Sequence, residues 1–199
     1  MMQSLSKVRT AGVYVKVAGF FPFQVGPTQR GDTLGVIRLG GHREADETGW
    51  ECAAREAFEE ASLRVMPLHP PATYWVEVTE PPVFQVGSWN AGPPDEVAPI
   101  LVSTRKEESM TPIYLGYTHD TPQPSAEAKA LLLLRPEDIH QLVLGTITLG
   151  SYLDMGGKAL FKEDLPTDFV LEPFPHLRFL HQLILIHPEI TQSSERSYR

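Results

Sequence analysis

Residues 40–63 read GGHREADETGWECAAREAFEEASL, a glycine pair followed by a polar turn and an acidic segment with helical spacing. Thr48 and Glu51 have the spacing of a capping box, in which each side chain accepts a hydrogen bond from the other residue's backbone N–H. This arrangement satisfies donors that are unpaired at the start of a helix. The sequence therefore predicts a helix from about Gly49 to Ala61.

The predicted helix has one apolar stripe and one acidic side. Residues three and four positions apart are neighbours on a helix surface, so Glu56, Glu59 and Glu60 are expected to project together. The opposite stripe is expected to be buried, and it consists of Trp50, Ala54, Ala57, Phe58 and Ala61. Neighbouring carboxylates repel one another by about a few tenths of a kcal/mol per pair, so the acidic cluster does nothing for the stability of the helix.

A divalent metal ion explains the acidic cluster better than helix stability does. Mg²⁺ prefers oxygen ligands, keeps several waters and accepts the phosphate oxygens of a substrate. Arg55 lies beside the cluster, where its guanidinium can hold one carboxylate in a fixed orientation. The Gly40-Gly41 turn lets the backbone approach the same place, so the Gly40 carbonyl is a further candidate metal ligand. The alternative is a solvated acidic surface, which the three glutamates alone would favour.

The spacing of these residues resembles the Nudix box, G-x5-E-x7-R-E-U-x-E-E-x-G-U, where U is a bulky aliphatic residue. The matching positions are Gly41, Glu47, Arg55, Glu56, Glu59, Glu60 and Leu63. The resemblance implies that the three glutamates of the acidic cluster are metal ligands and belong to the catalytic set. It also implies that Arg55 belongs to that set as their orienter, and that Glu47 supports the geometry of loop and helix.

Two positions depart from the box. Ser62 stands where the box has a glycine, which normally ends the helix in the left-handed conformation. A serine there costs about 1 kcal/mol or forces a different helix end. Ala57 is small for the first aliphatic position, which weakens packing. Because neither residue is a ligand position, we expect a local change of structure and an intact metal site.

The resemblance implies an α/β fold of the Nudix type, an α/β/α sandwich with a mixed β-sheet and a loop-helix-loop catalytic segment. It implies a hydrolase that cleaves a phosphoanhydride bond in a nucleoside diphosphate derivative, with an ADP-ribose-like molecule as the first substrate to consider. The cofactor would be Mg²⁺, with Mn²⁺ as a substitute, and a water would attack phosphorus.

Two other functions compete with hydrolysis. A Nudix-like regulatory module could sense a nucleotide without cleaving it, but such modules tend to lose box carboxylates, and this chain keeps all three. Isomerisation of an isoprenoid diphosphate would need a cysteine outside the box. The single cysteine of the chain, Cys52, lies within the predicted helix.

Three residues outside the box are further candidates. Glu127 precedes a predicted strand, and enzymes of the resembled family that cleave ADP-ribose carry a loop glutamate near there, so it is a candidate general base. Arg38 ends the strand before the glycine pair and is a candidate ligand for a substrate phosphate. Trp89 lies in a Gly/Pro-rich segment, where its ring could stack on a nucleobase. The alternatives are an exposed carboxylate, a surface cation and a packing or dimer contact.

Composition limits the class of protein. The 199 residues, 42% of them hydrophobic, predict a single domain over 1–199, with a long loop at 80–96 and a flexible tail at 191–199. A net charge of −8 argues against a nucleic-acid polymer as partner, because phosphate backbones need clustered cations. No apolar run is long enough to span a membrane, and a cytoplasmic location is expected. The expected partner is a small-molecule nucleotide, and the resemblance leaves a homodimer open.

Periodicity predicts the remaining elements. Strands are expected at Ala11–Gly19, Thr33–Leu39, Ala72–Thr79, Val97–Thr104, Pro112–Tyr117 and Lys129–Leu134, and helices at Pro136–Gln141 and Pro175–Ile186.

Overall fold

The computed structural model describes residues 8–77, 82–89, 97–105, 109–125 and 128–192. Within these ranges the chain forms twelve strands, four α-helices and a final turn of 3-10 helix. In chain order the elements are β1 Thr10–Lys16, β2 Phe21–Pro27, β3 Thr33–Ile37, β4 Leu39–His42, α1 Gly49–Ala61, β5 Met66–Pro67, β6 Thr73–Glu77, β7 Phe84–Gly87, β8 Leu101–Arg105, β9 Ser109–Tyr117, β10 Ala130–Leu134, α2 Pro136–Leu144, α3 Leu149–Asp154, β11 Lys158–Phe161, β12 Val170–Pro173, α4 Pro175–Ile186 and the 3-10 turn Pro188–Thr191.

The strands divide between two mixed sheets. The first has the order β4-β1-β9-β8-β6-β7, with β5 paired to β9, and its β1–β9 and β6–β8 pairs are parallel. The second has the order β11-β10-β2-β3-β12, and its β3–β12 pair is parallel. The expected α/β class is therefore confirmed, with the strands distributed over two sheets.

Helix α1 packs on one face of the first sheet through small side chains. Cys52, Ala53, Ala57 and Ala61 are fully buried, and their cluster includes Ala11, Val13, Val15, Leu39 and Leu63. The expected buried stripe was partly wrong, because Phe58 is 52% exposed and Cys52 and Ala53 take its place. The helix turns its smallest side chains towards the first sheet, and these allow its axis to approach the sheet closely, including Gly40 and Gly41 of β4. Ala57 suits this approach instead of weakening it.

The main core lies on the other face of the first sheet. Tyr14, Ile113 and Leu115 from that face pack with Phe23, Leu34 and Leu132 of the second sheet and with Leu177 and Leu180 of α4. Alternate residues of β1 therefore serve two different layers, as a central strand requires. Val13 and Val15 face α1, whereas Tyr14 faces α4, where its hydroxyl donates to the His176 carbonyl over 2.7 Å.

Helices α1 and α4 have the bounds expected from their sequences, and α2 continues three residues beyond Gln141. The expected strand Thr33–Leu39 is interrupted at Arg38, and a separate strand, β4, begins at Leu39. Strand β7 lies inside the loop expected at 80–96, whose residues 80–81 and 90–96 are outside the described ranges. Of the expected tail, only Thr191 and Gln192 are described. Among the described residues, no helix has the length and apolar character needed to cross a membrane.

Candidate active site

The capping box sets the register of α1. Thr48 Oγ1 accepts a hydrogen bond from the Glu51 N–H at 3.1 Å, and Glu51 Oε2 accepts one from the Thr48 N–H at 2.7 Å. Both expected bonds of the box are therefore present, and they start the helix at Gly49. A fixed start determines which side chains of the following turns face the glycine pair.

Arg55 joins the acidic cluster to the loop before the helix. Its Nη1 donates to Glu56 Oε1 at 3.0 Å and to Glu59 Oε2 at 2.9 Å. Its Nε donates to Glu47 Oε1 at 2.7 Å, and its Nη2 donates to the His42 carbonyl at 2.9 Å. These bonds, the one to Glu47 above all, raise the pKa of Arg55 above its ordinary value. The guanidinium therefore stays charged and orients carboxylates from two segments.

Glu47 holds the loop that leads from the glycine pair to the helix. Besides its contact with Arg55, its Oε2 accepts a hydrogen bond from the Glu44 N–H at 2.9 Å. Its carbonyl accepts one from Arg43 Nη1 at 2.6 Å. The hydrogen bond from Arg55 is the main reason why the pKa of Glu47 lies below its ordinary value. This geometry is the loop support that the box resemblance implies for Glu47.

Glu60 turns towards the glycine pair and away from Arg55. Its Oε2 accepts a hydrogen bond from the Gly40 N–H at 2.9 Å. Burial raises the pKa of this carboxyl to about 7, against the lowering effect of the Gly40 N–H, and the nearby Glu56 raises it further. A hydrogen bond from Gln24 and the charge of Arg38 act in the opposite direction.

The two glycines are required by their contacts. Gly40 has a φ of +139°, and a side chain there would collide with the Ala11 carbonyl and with the Arg38 guanidinium. A side chain at Gly41 would collide with the Glu56 carboxylate. Gly40 and Gly41 lie in strand β4, and not in the turn expected from the sequence. Their backbone lies directly against two carboxylates of α1 on one side and against Arg38 on the other.

The three carboxylates are the right chemistry for Mg²⁺, but they are engaged with protein donors. Arg55 holds Glu56 and Glu59, and the Gly40 N–H holds Glu60. Over the described ranges, no group of three His, Cys, Asp or Glu residues is positioned to hold a metal ion. Carboxylate oxygens at helical spacings of three and four, beside the backbone of Gly40 and Gly41, are nevertheless the ligands that a hard divalent ion prefers.

Ser62 ends α1 in the left-handed conformation expected of a glycine. Its φ is 57° and its ψ is 32°. Its N–H donates to the Phe58 carbonyl at 2.9 Å, and the Leu63 N–H donates to the Ala57 carbonyl at 3.3 Å. The loop before β10 satisfies another carbonyl, because the Ser125 N–H donates to Glu60 at 3.0 Å. The helix end is thus retained with serine, and the cost falls on the backbone of one residue.

Arg38 is buried beside the glycine pair with few partners. Only 8% of its surface is exposed, and burial lowers its pKa from the ordinary value. Its Nη1 donates to the Leu39 carbonyl at 3.4 Å, and within the described part of the chain its Nε has no hydrogen-bond partner. It lines a cavity of about 460 Å³ between the first sheet and the start of α4.

The described structure does not place Trp89 at the box. The Trp89 ring packs on Trp75, with 6.3 Å between ring centroids, and both contact a small cluster of Val8, Val102 and Met110. Trp89 does not line the cavity that contains Arg38. Glu127 lies outside the described residues.

Cys52 does not supply a nucleophile. It is fully buried under α1, and burial raises the pKa of its thiol to about 11. The thiol is therefore protonated near neutral pH, and it contacts the Gly41 carbonyl at 3.7 Å.

Several residues near the site were not singled out from the sequence. Gln24 reaches Glu60 from the second sheet, and Ser125 supports the end of α1 from a distant loop. Arg9, Ser103 and Thr111 line the cavity of Arg38. Only the pairing of the strands brings these residues together, and no local sequence pattern marks them.

No family model matches the chain, and no curated protein matches its sequence. Similar solved structures include a NUDIX family hydrolase from Clostridium perfringens, 19% identical over 67% of this chain and 84% of that one, with a TM-score of 0.46. They also include an Ap4A hydrolase from C. elegans, 16% identical over 65% of this chain and 82% of that one, with a TM-score of 0.41. A MutT protein from Bacillus halodurans is 14% identical over 69% of this chain and 72% of that one, with a TM-score of 0.38.

The segment Gly41–Leu63 of this chain has the spacing of a Nudix box with Ser62 in place of its glycine. Its capped helix places Glu56 and Glu60 against the backbone of Gly40 and Gly41.

Proposed function

We propose that this chain is a Mg²⁺-dependent, Nudix-type hydrolase that cleaves a phosphoanhydride bond in a nucleoside diphosphate derivative. An ADP-ribose-like molecule is the first substrate to test. The observation that carries the proposal is the position of Glu56 and Glu60 against the backbone of Gly40 and Gly41. A buried carboxyl whose pKa is raised to about 7 is a poor structural group, but it is well suited to a site that receives a cation.

The proposed metal ligands are Glu56, Glu59 and Glu60, together with the Gly40 carbonyl. The chemistry that Mg²⁺, or Mn²⁺ as its substitute, supplies when bound is activation of the attacking water and neutralisation of charge on the phosphates. Glu56 and Glu59 share one nitrogen of Arg55, so they are already drawn together on the surface of α1. Because a divalent ion carries twice the charge of the guanidinium, it attracts these two carboxylates more strongly than Arg55 does.

The protein's own residues position these groups. Arg55 and Glu47 tie α1 to the loop at two bonds, of 2.7 and 3.2 Å, which limits the freedom of the ligand side chains. The general base is one of the box glutamates or Glu127, and it accepts the proton of the attacking water. Arg38 is proposed to bind a substrate phosphate from the cavity side of Gly40, and Trp89 to contact the nucleobase.

A nucleotide-sensing module without turnover is the second candidate. It shares the fold and the ligand, so it predicts binding but no product. The retention of the three box glutamates together with their orienting arginine favours the enzyme, since a sensor has no use for a catalytic metal site. The same proposal includes a small-molecule nucleotide as the partner, and neither a nucleic-acid polymer nor a membrane. It also includes a cytoplasmic location and a homodimer.

A panel of nucleotide anhydrides separates the two candidates. The purified protein is incubated with each compound and Mg²⁺, and release of nucleoside monophosphate is followed by chromatography. We expect turnover of at least one compound, and a loss of about 100-fold or more in kcat for Glu60→Gln. Glu137→Gln, on the exposed surface of α2, is the matched control and should retain wild-type turnover. Binding of compounds without release of product across the whole panel would support the sensor.

A further inference from the structure

The cavity that contains Arg38 has a cationic character that the composition of the chain does not predict. The protein carries a net charge of −8. Its cavity, of about 460 Å³, is nevertheless lined by Arg9, Arg38, His42 and His176, and no Asp or Glu occurs among the described residues that line it. A concave surface lined by one sign of charge concentrates ligands of the opposite sign.

The cavity extends along β1 away from the metal face. Gly12 of β1 pairs with Gly40, and the Arg38 guanidinium lies against both glycines. Arg9 precedes Gly12 by three residues, so its backbone lies about 10 Å from that of Gly12 along the strand direction. The cavity thus has one arginine next to the box and a second further along the strand, so an anion that lies between them can contact both long side chains.

Arg38 is the residue that a ligand would complete. Its side chain is more than nine-tenths buried, and its Nε has no partner in the described structure. A buried guanidinium without full hydrogen bonding is costly, and an anionic ligand removes that cost. Burial lowers the pKa of Arg38, and the charges of Glu60 and Glu56, on the other side of Gly40, act in the opposite direction. In the described structure, however, neither carboxylate lies within ion-pair distance of the Arg38 guanidinium.

The other cavity walls suit oxygen atoms better than a nucleobase. Ser103 Oγ is 3.2 Å from His176 Nε2, and Thr111 Oγ1 is 2.7 Å from Thr10 Oγ1. These hydroxyl and imidazole groups can donate to phosphate or carboxylate oxygens. The one aromatic hydrocarbon ring among the described lining residues, Phe174, packs on Gly35 of the second sheet. A base-stacking pocket would need more aromatic surface than this.

We propose that this cavity receives the part of the substrate beyond the scissile diphosphate, and that this part carries an additional anionic group, a phosphate ester or a carboxylate, bound between Arg38 and Arg9. This inference rests on the proposed function for its link to turnover. It narrows the substrate class to nucleoside diphosphate esters whose end opposite the nucleoside carries its own anionic group, and it makes the neutral end of an ADP-ribose-like molecule a poor match.

Matched substrates test the additional charge. Three ADP esters share the same scissile bond: the ester of ethylene glycol has a neutral end, that of glycolate has a carboxylate end, and that of ethylene glycol phosphate has a phosphate end. We expect kcat/KM to be about tenfold or more higher for at least one charged ester than for the neutral ester. Comparison of the two charged esters distinguishes a carboxylate from a phosphate.

Variants test whether the preference for a charged ester depends on the arginines of the cavity. Arg9→Gln removes an exposed cation and is not expected to disturb folding, and it should reduce the charged-to-neutral ratio to about twofold. Arg38→Gln should do the same. Arg30→Gln makes the same change of charge at a side chain that is 69% exposed and not part of the cavity lining, so its ratio should remain that of the wild type. Wild-type turnover of all three esters at equal kcat/KM would overturn the inference and leave the proposed function intact.

A binding measurement keeps the inference testable without turnover. Inorganic phosphate is titrated into the metal-free protein in EDTA at constant ionic strength, and the heat of binding is measured. We expect Kd to rise about tenfold in Arg38→Gln and to be unchanged in Arg30→Gln. Phosphate binding that depends on Arg38, with no turnover of the three esters or of the nucleotide panel, would refute the proposed function and keep the anion site. Equal Kd values in wild type and Arg38→Gln would refute the anion site.

Discussion

The backbone N–H of Gly40 donates a hydrogen bond of 2.9 Å to Oε2 of Glu60, and this bond connects strand β4 to helix α1. It fixes one carboxylate of α1 on the inner side of the helix, whereas Arg55 holds the neighbouring Glu56 and Glu59. The same glycine contacts Arg38 on its other side. A single residue of backbone therefore separates the proposed metal ligands from the proposed substrate cavity.

The stability of the metal-free protein should depend on the protonation of Glu60. Burial raises its pKa to about 7 from 4.5, so the folded state favours the protonated form. The resulting stability is fully present below pH 4.5 and is lost as the pH rises through about 7. In EDTA, the free energy of unfolding of wild type relative to Glu60→Gln should fall by about 2 kcal/mol between pH 5 and 8.

Denaturant titrations at several pH values measure this difference. Glu137→Gln on the exposed surface of α2 is the control, and its curve should run parallel to that of wild type. Parallel curves for Glu60→Gln as well would show that Glu60 does not titrate as the structure requires.

A side chain at Gly40 should disrupt strand β4. Gly40→Ala places a methyl group against the Ala11 carbonyl and the Arg38 guanidinium, at a φ of +139° that alanine rarely adopts. We expect a loss of about 2 to 4 kcal/mol in the free energy of unfolding. Gly19→Ala is a matched control, because Gly19 has a φ of +84° and open space around it, and it should cost only about 1 kcal/mol. An equal loss of unfolding free energy in both variants would show that the close contacts at Gly40 do not contribute to the cost.

Replacement of Arg55 by lysine should separate charge from geometry. Lysine keeps the positive charge but cannot bond Glu47, Glu56 and Glu59 at once, since it has one ammonium group in place of a planar fork. We expect the half-saturating Mg²⁺ concentration to rise about tenfold or more. Arg64→Lys, at a side chain that is 84% exposed, should leave this concentration unchanged. An unchanged Mg²⁺ dependence in Arg55→Lys would mean that Arg55 does not position the ligands.

The natural departure from the box predicts a stabilising change. Ser62 has a φ of 57°, where glycine has no penalty, so Ser62→Gly should raise the free energy of unfolding by about 0.5 to 1 kcal/mol. The gain is limited because glycine loses the contact of 3.3 Å between the Ser62 and Ser125 hydroxyl groups. Ser62→Ala loses that contact and keeps the strain, so thermal unfolding should show it to be less stable than wild type. A destabilised Ser62→Gly would show that the serine side chain matters more than its backbone.

Local patterns predicted the bounds of helix α1 well. The capping pair and the spacing of α1 gave both of its ends, Gly49 and Ala61, because helix boundaries depend on nearby residues. The box resemblance also led us to expect a contact between Arg55 and the acidic residues, and in the structure Arg55 donates hydrogen bonds to Glu47 and Glu56.

Features that depend on tertiary packing were not predictable from the same patterns. The buried face of α1 is centred on Ala53 and Ala57 and leaves Phe58 exposed, because only small side chains fit where α1 lies close to strand β4. The division of the strands into two sheets and the burial of Arg38 depend on pairings between distant segments. No single window of sequence contains that information.

Hydrolysis in water enriched in ¹⁸O tests the central claim most directly. The wild-type protein and the double variant Glu56→Gln/Glu60→Gln are incubated with the best substrate of the nucleotide panel, with Mg²⁺ or with EDTA, and the products are analysed by mass spectrometry. We predict one ¹⁸O atom in one of the two phosphate-containing products, formed by wild type with Mg²⁺ and at least about 100-fold more slowly by the double variant or in EDTA. Product formed at the same rate in the double variant, or equally fast in EDTA, would contradict a metal-dependent hydrolase centred on the box glutamates.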